Sequence, residues 1–109
     1  HPTAISSTIK AVKSKYPEKN ITVIFEARSN SMLSGTHKKV FMKSFDDAEK
    51  LYIYCQKDIA WLEKDLGTRV FKDTNIIVEK ISDNIDNVDI VIIMSNGDTT
   101  EIINKLIKI

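Results

Sequence analysis

Ile90-Val91-Ile92-Ile93-Met94-Ser95-Asn96-Gly97-Asp98-Thr99 carries the two signals that decide the fold. Its first five residues are apolar without a break, the pattern of a strand covered on both faces. The next four are polar and include a glycine, which marks a turn. From Thr99 to Ile109 the apolar residues Ile102, Ile103, Leu106 and Ile107 return at helical spacing, and Asp98 with Glu101 forms a capping pair at the start. A buried strand feeding a helix through a short turn is the repeating unit of a parallel sheet.

The same alternation extends back to the beginning of the chain. The spacing of Ile5, Ile9, Val12 and Tyr16 predicts a helix over His1–Tyr16, with Pro2 in its first turn and Pro17 stopping it. Ile21–Phe25 predicts a second buried strand, and Ala27–Gly35 a polar loop. His37–Ala48 returns to helical spacing, with Phe41, Phe45 and Ala48 on one stripe. Leu51–Cys55 predicts a third buried strand. Asp58–Leu66 predicts a short helix with Ile59, Leu62 and Leu66 inward and Gly67 placed to end it. Arg69–Phe71 gives a weak strand. Asn75–Ile85 predicts a helix on the four-residue spacing of Ile77, Ile81 and Ile85. The whole reads as one α/β domain over residues 1–109, a Rossmann-like open sheet, mostly parallel, with helices on both faces.

Composition bounds the task more than it names it. With 109 residues, 42% of them hydrophobic, the chain can bury one ordinary core. Sixteen basic against fifteen acidic residues leave no excess of positive charge for a nucleic-acid backbone. The longest strictly apolar run, Ile90–Met94, is far short of a membrane span. The single cysteine, Cys55, excludes an internal disulfide and fits a reducing cytoplasm. His1 and His37 with Cys55 give no metal-ligand spacing, and a buried, inert Cys55 is the simpler reading. The chain opens at His1 rather than Met, which predicts a piece of something longer.

In open α/β sheets ligands bind outside the carboxyl ends of the strands. Two polar clusters fall there: Glu26-Ala27-Arg28-Ser29-Asn30-Ser31 after one strand and Ser95-Asn96-Gly97-Asp98 after another. Arg28 offers a planar fork for carboxylate or phosphate, and Asn30 both donates and accepts. The plainer alternative pairs Arg28 with Glu26 or Asp47 on a solvated surface. Ser95-Asn96-Gly97 precedes a helix N-terminus, which favours an anion, or else is only a turn that needs its glycine. No G-x-x-x-x-G-K-[ST] or G-x-G-x-x-G pattern occurs, so the chain has no nucleotide-binding loop of its own. No catalytic triad or acid/base pair can be argued from spacing.

His1-Pro2-Thr3-Ala4-Ile5 resembles the end of the H-H-P-T-A-I segment that opens the C-terminal domain of Mur ligases. Phe25-Glu26-Ala27-Arg28-Ser29-Asn30-Ser31-Met32, followed by Gly35-Thr36-His37, resembles the F-E-P-R-S-N-T-M…G-x-H stretch of the murein peptide ligase branch. Met94-Ser95-Asn96-Gly97 is similar to that branch's M-S-N-G. Two departures stand out. Ala27 replaces the usual proline, which implies a less rigid loop. Asp98-Thr99-Thr100-Glu101-Ile102-Ile103-Asn104 replaces a glycine-rich G-F-G-G-I-H-Q, adding two acids beside the second cluster.

The resemblance implies the third domain of an ATP-dependent amide ligase of the bacterial cytoplasm, acting in peptidoglycan recycling. Such an enzyme joins UDP-N-acetylmuramate to the tripeptide L-alanyl-γ-D-glutamyl-meso-diaminopimelate. ATP and Mg2+ would sit mainly on the central domain and the UDP-sugar on the N-terminal one, these domains being this segment's partners. Arg28, Ser29, Asn30, His37, Ser95, Asn96 and Gly97 would bind substrate, and His1 would lie near the nucleotide. No catalytic residue or metal site is implied within residues 1–109, and the segment alone is expected to be inactive. Two alternatives remain open: a stand-alone ligand-binding module, and the neighbouring branch that adds L-alanine to UDP-N-acetylmuramate.

Overall fold

The computed structural model describes residues 2–28 and 37–109. Four strands form one all-parallel sheet: β1 (Ile21–Glu26), β2 (Lys50–Tyr54), β3 (Val70–Phe71) and β4 (Ile90–Met94), in the order β3-β2-β1-β4. Helix α1 (Pro2–Lys15) precedes β1, and α2 (Lys38–Lys43) links β1 to β2. Helix α3 (Ala60–Leu66) links β2 to β3, α4 (Thr74–Asp83) links β3 to β4, and α5 (Thr100–Ile107) follows β4.

Because side chains alternate along a strand, each strand feeds two cores. Ile21, Val23 and Phe25 of β1 join Leu51, Ile53, Ile92 and Met94 beneath α1, α2 and α3. Ile24, Tyr52, Val91 and Ile93 face the other way, beneath Ile77 and Ile81 of α4 and Ile102 of α5. Phe25, Phe41 and Phe45 meet edge to face, with ring centroids 5.1–5.5 Å apart. The result is a three-layer α/β/α sandwich in which Ile9, Ile53, Leu62 and Ile77 are fully buried. Truncating any of these four to alanine costs about 2–5 kcal/mol.

Several expectations from the sequence are corrected. Helix α2 stops at Lys43 rather than Ala48. Ser44 N–H bonds to Val40 and Phe41 carbonyls, and tight turns at Asp46 and Ala48 then carry Phe45 inward without a helix. Helix α3 does end at Leu66 with Gly67 as its C-cap, but in helical and not left-handed geometry: the Gly67 φ of −53° and ψ of −37° begin a 3₁₀ turn, Gly67–Arg69. Ile85 leaves α4 for the 3₁₀ turn Ile85–Asn87 and is exposed. Ile103 and Ile107 are exposed too, Ile107 at 74%, so α5 buries only the Ile102 side of its apolar stripe. Strand β4 is covered on both faces, yet each of its five residues is only half-buried, because it is an edge with one neighbour.

At the amino ends of the strands a carboxylate fixes the register. Glu49 Oε2 accepts the Ile21 N–H at 2.6 Å, while Glu49 N–H donates to the Ile21 carbonyl at 2.9 Å. Lys13 of α1 pairs with Glu49 Oε1. Among the described residues no helix is long and apolar enough to cross a membrane.

Candidate functional site

The strand order creates one special position. Going from β1 through β2 to β3 the chain moves outward along the sheet on the α2–α3 face. It then returns by α4 on the opposite face to place β4 on the far side of β1. Connections leaving β1 and β4 therefore diverge, which opens a crevice at their carboxyl ends.

Register decides what lines that crevice. Glu26 stands beside Tyr54 of β2, and Phe25 beside Met94 of β4. One residue further on, Ser95 falls next to Glu26 and turns to the α4–α5 face. Its hydroxyl donates to Glu26 Oε1, and the Gly97 N–H donates to Ser95 Oγ at 2.9 Å. Arg28 Nη1 stands 3.6 Å from the same Glu26 oxygen. The guanidinium occupies the space over Gly97: a Cβ added there would stand inside Nη1 and 3.6 Å from both Arg28 Cζ and Glu26 Oε1. The Gly97 backbone lies outside the left-handed region, so this glycine serves close approach and not a turn that only glycine can make.

Beside this cluster lies a cavity of about 230 Å³, lined by Glu26, Tyr54, Thr74, Ser95, Asp98 and Thr99 among others. The first turns of α4 and α5 both open onto it. Asp73 caps α4 by accepting the Asn75 N–H at 2.8 Å, and Asp98 accepts the Thr100 N–H at 2.9 Å. Hydrogen bonds from the Thr100 side chain and backbone hold the Asp98 carboxyl below the usual carboxylate range. Asp98 thus satisfies the start of α5 by its own side chain rather than as a capping pair with Glu101, which instead pairs with Lys105 at 2.9 Å. Among the described residues no three His, Cys, Asp or Glu side chains gather as a metal site would need.

Of the residues singled out by sequence, Arg28, Ser95 and Gly97 come together here. Asn96 sits in the same turn and is exposed. His37 stands exposed at the start of α2 with no side-chain capping bond. Ser29, Asn30 and His1 lie outside the described residues, as does the rest of the stretch from Ser31 to Thr36. Sequence reasoning placed Glu26 at the head of the polar cluster after β1 and as a surface partner for Arg28, without a site role of its own. Strand parity, counted from the buried Ile24, was the signal that could have placed it in the crevice. Ala27, where the resemblance has proline, is buried, and its N–H donates to the Tyr54 carbonyl at 2.9 Å. A proline there would have no such donor, so this chain pins the β1 exit by a hydrogen bond instead of a ring.

No protein-family model matches the chain. It is 33% identical over 85 residues to the UDP-N-acetylmuramate–L-alanine ligase of Leuconostoc citreum, covering 72% of this chain and 19% of that protein. The protein of the same name from Leuconostoc mesenteroides is 32% identical over 85 residues, with the same coverage. The chain therefore spans about a fifth of the length of these curated relatives. Among crystal structures, a domain assigned to a UDP-N-acetylmuramate:L-alanyl-γ-D-glutamyl-meso-diaminopimelate ligase of Haemophilus ducreyi matches 99% of this chain and 82% of its own. That match has a TM-score of 0.75 at 27% identity. A murein peptide ligase of Psychrobacter arcticus matches with a TM-score of 0.79 at 26% identity, covering 99% of this chain and 25% of its own.

Proposed function

We propose, for a chain whose sequence relatives and fold are those of Mur ligases, the role of the C-terminal substrate-positioning domain of an ATP-dependent amide ligase. The observation that carries this reading is the Arg28 guanidinium held over Gly97 at the carboxyl edge of β1 and β4. A guanidinium grips a carboxylate or phosphate through two parallel N–H bonds, and Arg28 is 57% exposed at the mouth of the crevice. Such a group orients the incoming substrate and offsets negative charge that develops during reaction. Arg28, Ser29, Asn30, His37, Ser95, Asn96 and Gly97 would form the substrate side of the site, and His1 would approach the nucleotide.

In this reading ATP and Mg2+ are held by the rest of the full-length chain, and ATP supplies the phosphoryl group that activates the muramate carboxylate. The UDP-N-acetylmuramate site would likewise lie on another domain. Closure of this domain over the other two brings its half of the site to the reacting groups. Residues 1–109 alone would then neither hydrolyse ATP nor form an amide bond.

The amine substrate of the proposal is the tripeptide L-alanyl-γ-D-glutamyl-meso-diaminopimelate. The Glu26-Ala27-Arg28 stretch supports it, as do the names of both structural neighbours. The names of the curated relatives favour a second reading, in which free L-alanine is the amine. Ligation by the full-length enzyme with tripeptide and alanine in competition separates the two. Consumption of tripeptide is expected; exclusive use of alanine would move the chain to the other branch. In the same assay Arg28→Ala should slow ligation at least tenfold, on the order of 2–4 kcal/mol for a charged transition-state contact. A near-normal rate would return Arg28 to the surface.

A further inference from the structure

We infer that Glu26 is the positioning residue of this site: its carboxylate sets the direction of the Arg28 guanidinium and ties the exits of β1 and β4 into one unit. The consequence for substrate rests on the function proposed above, whereas the geometry does not.

An exposed arginine beyond the end of a strand has many rotamers, and a ligand must select one of them. Glu26 removes much of that choice. It is the last residue of β1, between two neighbouring strands, and its side chain is only 22% exposed, so its own position is fixed. An ionised carboxylate only accepts. It accepts the hydrogen bond of the Ser95 hydroxyl, which turns the Ser95 oxygen lone pairs toward the Gly97 N–H and orders the turn after β4. The same oxygen draws Arg28 Nη1 to 3.6 Å, over the face of Gly97 left open by the missing Cβ.

Three features of the pairing suit positioning better than stability. At 3.6 Å it is an attraction between charges and not a bidentate lock, and with the Arg28 side chain 57% exposed solvent screens it, so it adds little to folding. Glu26 engages one edge of the guanidinium, and among the described residues no other acid pairs with Arg28, so the fork stays available to an anion. The network also joins two segments 69 residues apart in sequence, so the Arg28 cluster and the Gly97 cluster would present one preset surface.

Glu26→Gln keeps the shape of the side chain and an acceptor for Ser95 while removing the charge that orders Arg28. In the full-length ligase this variant should lower kcat/KM for the amine substrate about fivefold or more, part of it in kcat, because the arginine it misdirects acts in the transition state. Combined with Arg28→Ala it should add no further loss, because both changes remove the same interaction. Additive losses would overturn the inference, as would an unchanged kcat/KM in Glu26→Gln beside an impaired Arg28→Ala. A second readout needs no substrate: the Arg28 Nε–H resonance in the amide spectrum of the full-length protein. In Glu26→Gln that resonance should shift and exchange faster with water while the melting temperature holds. An unchanged Arg28 resonance overturns the positioning role whatever the kinetics. Normal ligation by Arg28→Ala, with the shift present, instead overturns the substrate role proposed for Arg28 and leaves the coupling standing.

Discussion

Two turns leave strands on either side of β1, and they are nearly the same backbone put to opposite ends. Tyr54-Cys55-Gln56-Lys57-Asp58-Ile59 leads from β2 to α3, and Met94-Ser95-Asn96-Gly97-Asp98-Thr99 leads from β4 to α5, each with the same sequence of bends before its helix. The first turn is closed. Cys55 is 1% exposed and donates weakly to the Lys57 carbonyl at 3.4 Å, Ile59 is buried, and Asp58 pairs with Lys72. The second is open, with Ser95 and Thr99 on a cavity and Arg28 over Gly97. Register explains the difference. Thr22 pairs with Lys50 of β2 but Ile21 pairs with Ile90 of β4, so the two five-residue strands are one residue out of step. The first residue past β2 therefore points into the α1–α3 core, and the first past β4 points to the α4–α5 face. A thiol suits the one and a hydroxyl the other.

The largest break in this comparison comes from filling the space over Gly97. Gly97→Val puts a branched side chain where the guanidinium lies and should lower the full-length ligase's kcat/KM tenfold or more, about 1.4 kcal/mol per decade. Lys57→Val at the matching place in the closed turn should leave kcat/KM within about twofold, since Lys57 is exposed and Arg28 packs over Gly97 and Glu26 instead. The Gly97 backbone needs no positive φ, so the fold should survive, and an unchanged far-ultraviolet spectrum would check it. Equal losses in both variants would mean that Arg28 is not the group that matters.

Exchanging chemistry at the first turn residue tests stability rather than rate. Cys55→Ser places a hydroxyl in an apolar core, where burial of an imperfectly bonded polar group costs about 1–3 kcal/mol. Ser95→Ala removes a half-exposed hydrogen bond and should cost no more than about 1 kcal/mol, its main effect falling on the site. Urea midpoints of the two variants should therefore separate, with the lower one belonging to Cys55→Ser. A reversed order would contradict the assignment of closed and open turns.

Much of this was legible because apolar runs and helical spacing are local signals. Ile21–Phe25 and Ile90–Met94 declare strands buried on both faces whichever strand lies beside them. Strand order is not local: nothing in Ile90–Met94 says that it forms an edge, and the half-burial of all five residues follows from that order alone. The apolar stripe of α5 misled for a related reason, since it is wider than the face the helix sets on the sheet: Ile102 and Leu106 pack there, while Ile103 and Ile107 on its other side are exposed. At the site, position after a strand was enough to bring Arg28 and Ser95-Asn96-Gly97 to one edge. Glu26 went unassigned because its role depends on standing beside Ser95, a neighbour that only the register of β1 on β4 supplies.

The smallest effect concerns the other end of β1. Glu26 and Glu49 are both carboxylates bound to a serine or backbone donor and to a cation, yet one faces the crevice and the other clips the register of β1 on β2. Partial burial pushes the Glu49 carboxyl up, but the Lys13 ammonium and the Ile21 N–H outweigh it and hold the group below its ordinary value of 4.5. A carboxyl lowered by folding stabilises the native state above its unfolded value, and that contribution is lost as pH falls through the folded one. Stability should thus decline below about pH 4.5, and Glu49→Gln should flatten that part of the curve while lowering the plateau at neutral pH. With 38% of the Glu49 side chain exposed, solvent screens the pair and the plateau should drop by less than about 1 kcal/mol. Thermal melts of both proteins between pH 3 and 7 check it. Parallel pH curves would show that acid unfolding is governed elsewhere, and a loss of ligation in Glu49→Gln at pH 7 would show that the two ends of β1 are not independent.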